Sequence, residues 1–300
     1  MSRHHRQIAV HAGFHCSGSE EFQRFLGANR AAIAAGGYDL AYPGRGGAAG
    51  GSFDCAWPEA RHSDDALDFF VPPVASALAG AARGSDSLIV SEHDLAGRMP
   101  ALLAGRFYPA ARKRAEVLRA ALGRPVDRLV VTVQPYDRLF RAAWSRVALE
   151  REVEPYADFV PAMGAFAGGW VEVVEGLREG LQAREVTVLT DHAAPEELLM
   201  HLAPGLRLTS PVPGLPMPVI TDSAITMLQR HYRQGVRFAP GQRDRLLAFH
   251  AHQPQIARES GFAGLQLADL RGRYVADLAT LARTDGIRVA GQIFPAIAAE

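Results

Sequence analysis

Residue types that can do chemistry crowd into one run near the N-terminus, His11-Ala-Gly13-Phe-His15-Cys16-Ser17-Gly18-Ser19-Glu20. Ahead of it the apolar stretch Ile8 to Val10 reads as a buried strand. Behind it Phe22, Phe25, Leu26 and Ile33 recur at helical spacing. A strand, a loop of small residues from Gly13 to Ser19 and a helix start make an anion site, because the first amides of a helix lack backbone partners and the helix dipole is positive there. The run is not a Walker A sequence: no Gly-Lys-Ser/Thr closes the loop, and the chain's one lysine is Lys113. Two other readings stay open. Ser17-x-x-Glu20 also spells a capping box, in which the glutamate occupies donors that a phosphate would want. Cys16 can also be read as a nucleophile beside His11 or His15, with the helix N-terminus lowering its pKa. A histidine–metal reading fails on placement, since His11 and His15 fall on a strand end and a loop rather than on one helix face.

Two further clusters follow apolar runs. Ser87-Leu-Ile-Val90 reads as a strand leading straight into Ser91-Glu92-His93-Asp94, and polar residues past the C-terminal end of a strand sit where ligands bind in an α/β sheet. The plain alternative is that Ser91 or Asp94 caps the next helix and His93 is solvated. Arg128 to Val133 is the strongest strand pattern in the chain, and it ends in Gln134-Pro135-Tyr136-Asp137-Arg138-Leu-Phe-Arg141. Pro135 suits a first helical turn and Asp137 a cap.

The elements that must position these clusters alternate. Tyr38 to Pro43 reads as a short edge strand, and Val186 to Leu189 as a further strand followed by Asp191-His192. Helical patterns cover Asp64–Ala82, Ala110–Leu122 and Tyr156–Leu181, the last interrupted at Gly168-Gly169. Strands separated by helices imply an α/β fold with a central, mostly parallel sheet and right-handed crossovers. Gly44 to Ser52 is a glycine- and alanine-rich loop with nothing to pack, read as an exposed linker or a mobile lid. From residue 206 onward a proline-rich connection, Leu206 to Val219, precedes three helical segments, Thr221–Arg233, Pro240–Glu259 and Leu265–Thr284, and no strand pattern recurs. The expectation is one domain, 1–300, with an α/β core over 1–205 and a helical C-terminal extension over 206–300.

Composition excludes several classes. Lys and Arg total 32 against 32 Asp and Glu, so the formal net charge is zero, and a general nucleic-acid binder would show a basic excess. Two cysteines, Cys16 and Cys55, make no disulfide scaffold. No apolar stretch is long enough for a signal peptide or membrane span, so the expectation is a cytoplasmic protein without a membrane partner.

In order and spacing the three clusters resemble the bacterial sulfotransferases. That family has a strand, then a His-x-Gly-x-x-Lys-Thr-Gly-Thr-Thr-like loop that holds the 5′-phosphosulfate, then a helix; here the run is His11-Ala-Gly13-Phe-His-Cys16-Ser17-Gly18-Ser19-Glu20. Ser91-Glu92-His93 resembles the Ser-Glu segment of bacterial members. Val131-Thr-Val-Gln-Pro-Tyr-Asp-Arg138-Leu-Phe-Arg141-Ala-Ala-Trp resembles the 3′-phosphate motif, approximately Val-x-Arg-Asp-Pro-x-x-Arg-x-x-Ser-x-Tyr. Leu267–Ala282, with Tyr274 and Asp277, is similar to the last helix of those proteins.

The resemblance implies a three-layer, P-loop NTPase-like fold. It also implies transfer of a sulfuryl group from 3′-phosphoadenosine 5′-phosphosulfate to a hydroxyl or amine of a small-molecule or glycan acceptor, without a metal. On that pattern Gly13, Cys16, Ser17, Gly18 and Ser19 hold the 5′-phosphosulfate, and Arg138 and Arg141 hold the 3′-phosphate. Glu92 or His93 is the base, and His11 and His15 are candidates for replacing lost positive charge. The departures are specific. Cys16 stands at the loop-lysine position, Glu20 at the last threonine, Val133 at the motif's arginine and Arg141 at its serine. A carboxylate beside a phosphate costs on the order of a kcal/mol or more. The alternative is therefore a catalytically inactive protein of this fold acting as a binding or scaffold module.

Overall fold

The structure is a computed structural model that describes residues 7–190, 193–214, 219–255 and 260–291. Asp191-His192, residues 215–218 of the proline-rich connection and the end of the expected helix at 256–259 lie outside the described residues. The first half runs β1 (Gln7–Ala12), α1 (Ser19–Ala28), α2 (Arg30–Ala35), β2 (Tyr38–Ala41), α3 (Val71–Ala81), β3 (Ser87–Glu92), α4 (Met99–Leu103) and α5 (Ala111–Leu122). The second half runs β4 (Arg128–Val133), α6 (Tyr136–Glu150), α7 (Tyr156–Gly164), α8 (Trp170–Leu181), β5 (Glu185–Thr190), α9 (Pro195–Leu202), α10 (Asp222–Arg233), α11 (Gln242–Ala251), α12 (Gly264–Arg283) and β6 (Ile287–Ala290). Short 3₁₀ turns cover Arg45–Gly47 and Asp64–Phe70.

Six strands form one sheet in the order β2-β3-β1-β4-β5-β6, and every neighbouring pair is parallel. Alternation along each strand sends side chains to two faces. Ile8, Val10, Leu88, Val90, Leu129 and Val131 join the larger core, with residues of α3, α5, α6 and α8. Ala9, Leu40, Ile89, Val130 and Leu189 join a second core built by Phe22, Phe25 and Leu26 of α1 and Leu198, Leu199 and Leu202 of α9. Strands buried on both faces are what a parallel sheet requires. From β1 the chain crosses towards β2, whereas from β4 it crosses the other way, towards β5. The loops after these two adjacent strands therefore diverge and leave a crevice at the C-terminal edge of the sheet.

Three expectations change. The C-terminal part is not purely helical: β6 returns after α12 and pairs with β5 from Val186↔Ile287 to Leu189↔Ala290. The expected helix over Asp64–Ala82 splits at Val71, because Pro72 and Pro73 suit a first helical turn and cannot continue a preceding one. The Gly44–Ser52 stretch is largely exposed, as read, but it is anchored to the protein rather than without contacts. Ala48 is buried in the second core, Tyr42 Oη donates to Ala49 O at 2.6 Å, and Gly46 O accepts from Arg24 Nε at 2.5 Å. The expected interruption of the helix over Tyr156–Leu181 is present: α7 ends at Gly164 and α8 begins at Trp170, just after Gly168-Gly169.

At the opposite edge of the sheet Asp39 closes the α3–β3 turn. Its Oδ2 accepts from the amides of Arg83, Gly84 and Ser85 at 2.8, 3.1 and 3.2 Å. Asp39→Ala is expected to lower stability by about 2 kcal/mol in urea unfolding, the loss of three hydrogen bonds to a buried, charged acceptor. A loss below about 0.5 kcal/mol would show that this turn is held by other contacts.

Candidate functional site

The crevice opens into a cavity of about 560 Å³. It lies within the size range of small-molecule sites, about 300–1,000 Å³. The loop after β1 supplies Phe14, His15, Cys16 and Gly18, and the first turn of α1 supplies Ser19, Glu20 and Glu21. The 45–47 turn adds Arg45 and Gly46, the segment after β3 adds His93 and Asp94, and α6 adds Ala142, Ser145, Arg146 and Glu150 at helical spacing.

Backbone geometry shapes the loop. Gly18 precedes α1 with φ 87°, a left-handed conformation that glycine adopts without cost, and Cys16 also has a positive φ, 62°. Gly13 is close-packed: a Cβ there would come within 2.7 Å of Ser19 Cβ and overlap its hydroxyl. Gln134, at the end of β4, donates from Nε2 to the carbonyls of His15 and Cys16 at 3.3 and 3.2 Å. Trp170 Nε1 donates in turn to Gln134 O at 2.9 Å.

The capping box does not form. Ser17 Oγ donates to Phe14 O at 2.6 Å, Ser19 Oγ donates to the same carbonyl at 3.1 Å, and α1 has no side-chain cap. Glu20 turns instead to Arg146, with 2.5 Å between Oε1 and Nη2. Neither serine hydroxyl nor the Glu20 carboxylate is therefore committed to capping the first turn of α1.

Electrostatics centre on β3. Glu92 is fully buried, and Arg45 donates from Nη2 to both its oxygens at 2.8 and 3.0 Å. Its Oε1 also accepts from Asp94 N at 2.9 Å. Burial pushes the Glu92 carboxyl up to about 7, against the pull of Arg45. Arg45 also pairs with Asp94 and, at 3.3 Å, with Asp54. Burial works against the Asp94 charge, but the hydrogen bond from His15 Nε2 at 2.9 Å, with His93 and Arg45 nearby, holds its carboxyl well below the usual range. Ligand atoms of Glu92, His93 and Asp94 lie within 4.8 Å of one another, yet the Arg45 guanidinium already neutralises this cluster where a metal cation would sit.

Of the expected phosphosulfate residues, Cys16, Gly18 and Ser19 line the cavity, whereas Gly13 and Ser17 lie behind it as packing and hydrogen-bonding supports. Of the expected bases, His93 lines it and Glu92 does not, and His15, read as a candidate for replacing lost charge, lines it as well. Glu92 is corrected to a support that holds Arg45, because it has no exposed surface and both its oxygens are engaged. The expected 3′-phosphate arginines are not brought to the cavity. Arg138 is exposed on α6 outside the lining. Arg141 turns to Asp222 of α10 at 3.0 Å and lies over the rings of Trp144 and Tyr156 at 4.9 and 4.7 Å. Among the described residues the cavity's arginines are Arg45 and Arg146, which the sequence reading missed. Asp277 is a structural partner: it accepts from Tyr136 Oη and, at 3.1 Å, from Trp170 N.

The Cys16 nucleophile reading gains no support. Burial of the loop pushes the thiol up to about 12, with Arg146 opposing and Glu20 adding to the rise, although the side chain meets solvent in the cavity. That is the opposite of the depressed pKa a thiolate nucleophile needs.

No protein-family model matches the chain, and no curated protein and no solved structure matches it. Among the described residues no helix is long and apolar enough to cross a membrane.

Two buried histidines give the site a pH signature. Burial pushes His11 down to about 3, with His93 adding, and pushes His93 down to about 4. A histidine lowered on folding contributes stability that is present above its ordinary value of 6.5 and is lost as pH falls through the folded value. Glu92 acts in the opposite sense between about 4.5 and 7, because its folded form keeps the proton longer. His11→Gln is therefore expected to lose less stability than the parent when thermal unfolding is compared at pH 7 and pH 5. Equal losses would show that His11 does not stay neutral in the fold.

Proposed function

We propose that the chain is a sulfotransferase-like protein of the three-layer, P-loop type. Its co-substrate is 3′-phosphoadenosine 5′-phosphosulfate, and its acceptor a hydroxyl or amine of a small molecule or glycan. The observation that carries this reading is the uncapped N-terminal turn of α1 opening into a cavity at the sheet's C-terminal edge, with Arg146 beside it and His93 in the wall. A helix start suits the phosphosulfate. Arg146 supplies the cation that the absent loop lysine would have given, and charge developing on the sulfonate and the bridging oxygen is met by these fixed donors.

The base is His93. Burial keeps its imidazole neutral at pH 7, and it reaches the cavity. It takes the acceptor's proton as the acceptor oxygen or nitrogen bonds to sulfur and the S–O bond to the phosphate breaks. His15, held by Asp94, lies 6.0 Å from His93 between ring centroids and steadies that wall.

A second reading rests on one observation. Arg146 is engaged by Glu20, and Arg45 by Glu92, Asp94 and Asp54, so an anion must displace a carboxylate to gain a cation. If that exchange is unfavourable, the cavity binds no donor and the protein acts as a binding or scaffold module.

Calorimetric titration with 3′-phosphoadenosine 5′-phosphate separates the two. Donor binding predicts micromolar affinity, weakened about tenfold by Arg146→Ala, equivalent to about 1.4 kcal/mol, and strengthened by Glu20→Gln, which releases Arg146. No heat from the parent or from Glu20→Gln would remove the donor reading and leave the binding module.

A further inference from the structure

Gln23 lies on α1, fully buried, and belongs to none of the clusters that the sequence singles out. Its side chain spans two groups with opposite demands. Nε2 lies 3.1 Å from Ser91 O and 3.3 Å from Ser91 Oγ. A backbone carbonyl only accepts, so the amide must present its nitrogen to Ser91 and its oxygen to the other side. On that side Gln23 Oε1 lies 3.3 Å from His93 Nδ1. An amide oxygen also only accepts, so Nδ1 must carry a hydrogen.

We infer that Gln23 is a positioning residue: its amide, oriented by Ser91, fixes His93 as the Nδ1–H tautomer and leaves Nε2 as the ring's proton acceptor in the cavity wall. The inference rests on the reading of His93 as the base. It explains why a buried glutamine sits between two strand-end segments. Ser91 Oγ is itself tied to His11 Nδ1 at 2.9 Å, and the His11 ring packs edge-on against Phe22 at 4.9 Å between centroids. The orientation of the Gln23 amide is thus set by groups on β1, β3 and α1 together. Other polar or charged groups around His93 are His11 on β1, His15 on the loop after it, Glu92 and Asp94 on its own segment, Arg45 on the 45–47 turn and Arg146 on α6. Among the described residues the hydrogen-bond partner of His93 Nδ1 is Gln23, so Gln23 selects the tautomer at that nitrogen. Proton flow follows: Nε2 receives the acceptor's proton, the ring becomes an imidazolium that still donates from Nδ1 to Gln23, and water returns it to the neutral form.

The test is the nitrogen chemical shifts of His93 in uniformly labelled full-length protein at pH 7, assigned by the signals lost in His93→Gln. The expected spectrum has a protonated Nδ1 and an unprotonated Nε2. Gln23→Met, which removes the acceptor, shifts both signals toward the Nε2–H pattern. A parent spectrum with protonated Nε2 overturns the inference, as does a folded Gln23→Met protein with unchanged shifts. If Gln23→Met does not fold, the parent spectrum decides, because a protonated Nε2 there overturns the inference by itself. The measurement needs no donor or acceptor, so absent nucleotide binding, which would sink the transferase reading, leaves its outcome separate.

Discussion

A carboxylate with no exposed surface, Glu92, ends the strand beside β1, and the architecture of the cavity follows from the need to neutralise it. An uncompensated buried charge costs several kcal/mol, so a cation must be brought to it. Arg45 meets that need with two hydrogen bonds to the carboxylate. To reach it, the glycine-rich segment after β2 must fold back over the edge of the sheet, and the Arg45 guanidinium then also engages Asp94. Asp94 in turn orients His15, whose ring lies parallel to that of Tyr108 at 6.1 Å. One buried acid therefore determines where a turn, a second acid and a histidine stand.

The opposite wall is governed by a second charge pair. Glu20 falls where an anionic ligand would meet the start of α1, and Arg146 draws it sideways. With Ser17 and Ser19 both donating to Phe14 O, the helix start is left without any side-chain cap. The site is thus internally neutralised but not closed. A ligand phosphate or sulfonate would compete with one carboxylate for one arginine, a difference between two pairings of similar kind, so modest changes in charge decide whether the cavity is filled.

The sheet was legible because its strands are short apolar runs bounded by small or polar residues, and the first five are read directly from Ile8–Val10, Tyr38–Pro43, Ser87–Val90, Arg128–Val133 and Val186–Leu189. β6 was not, since Ile287-Arg-Val-Ala290 is brief, carries a charge and lies on a sheet edge where one face need not be apolar. The loop after β1 and the segment after β3, both singled out in the sequence, do meet at one cavity. The cavity's charges were not legible. Arg45 sits in a stretch whose composition signals only flexibility, and its role depends on Glu92 being buried, which no local pattern announces. Arg146 lies on the helix that carries Arg138 and Arg141, and choosing among them requires the rotation of α6 about its axis. Gln23 was invisible for the same reason, because a lone glutamine on an amphipathic helix has no spacing that distinguishes it. Glu92 could be named as acidic and strand-terminal, but only its tertiary partners make it a support rather than a base.

The most direct test of the central claim is a crystal structure of the protein grown with 3′-phosphoadenosine 5′-phosphate. The account predicts the nucleotide's 5′-phosphate at the start of α1, with Glu20 turned away and Arg146 on the phosphate. An unfilled cavity with the Glu20–Arg146 pair intact at saturating nucleotide, or nucleotide bound elsewhere, would contradict it.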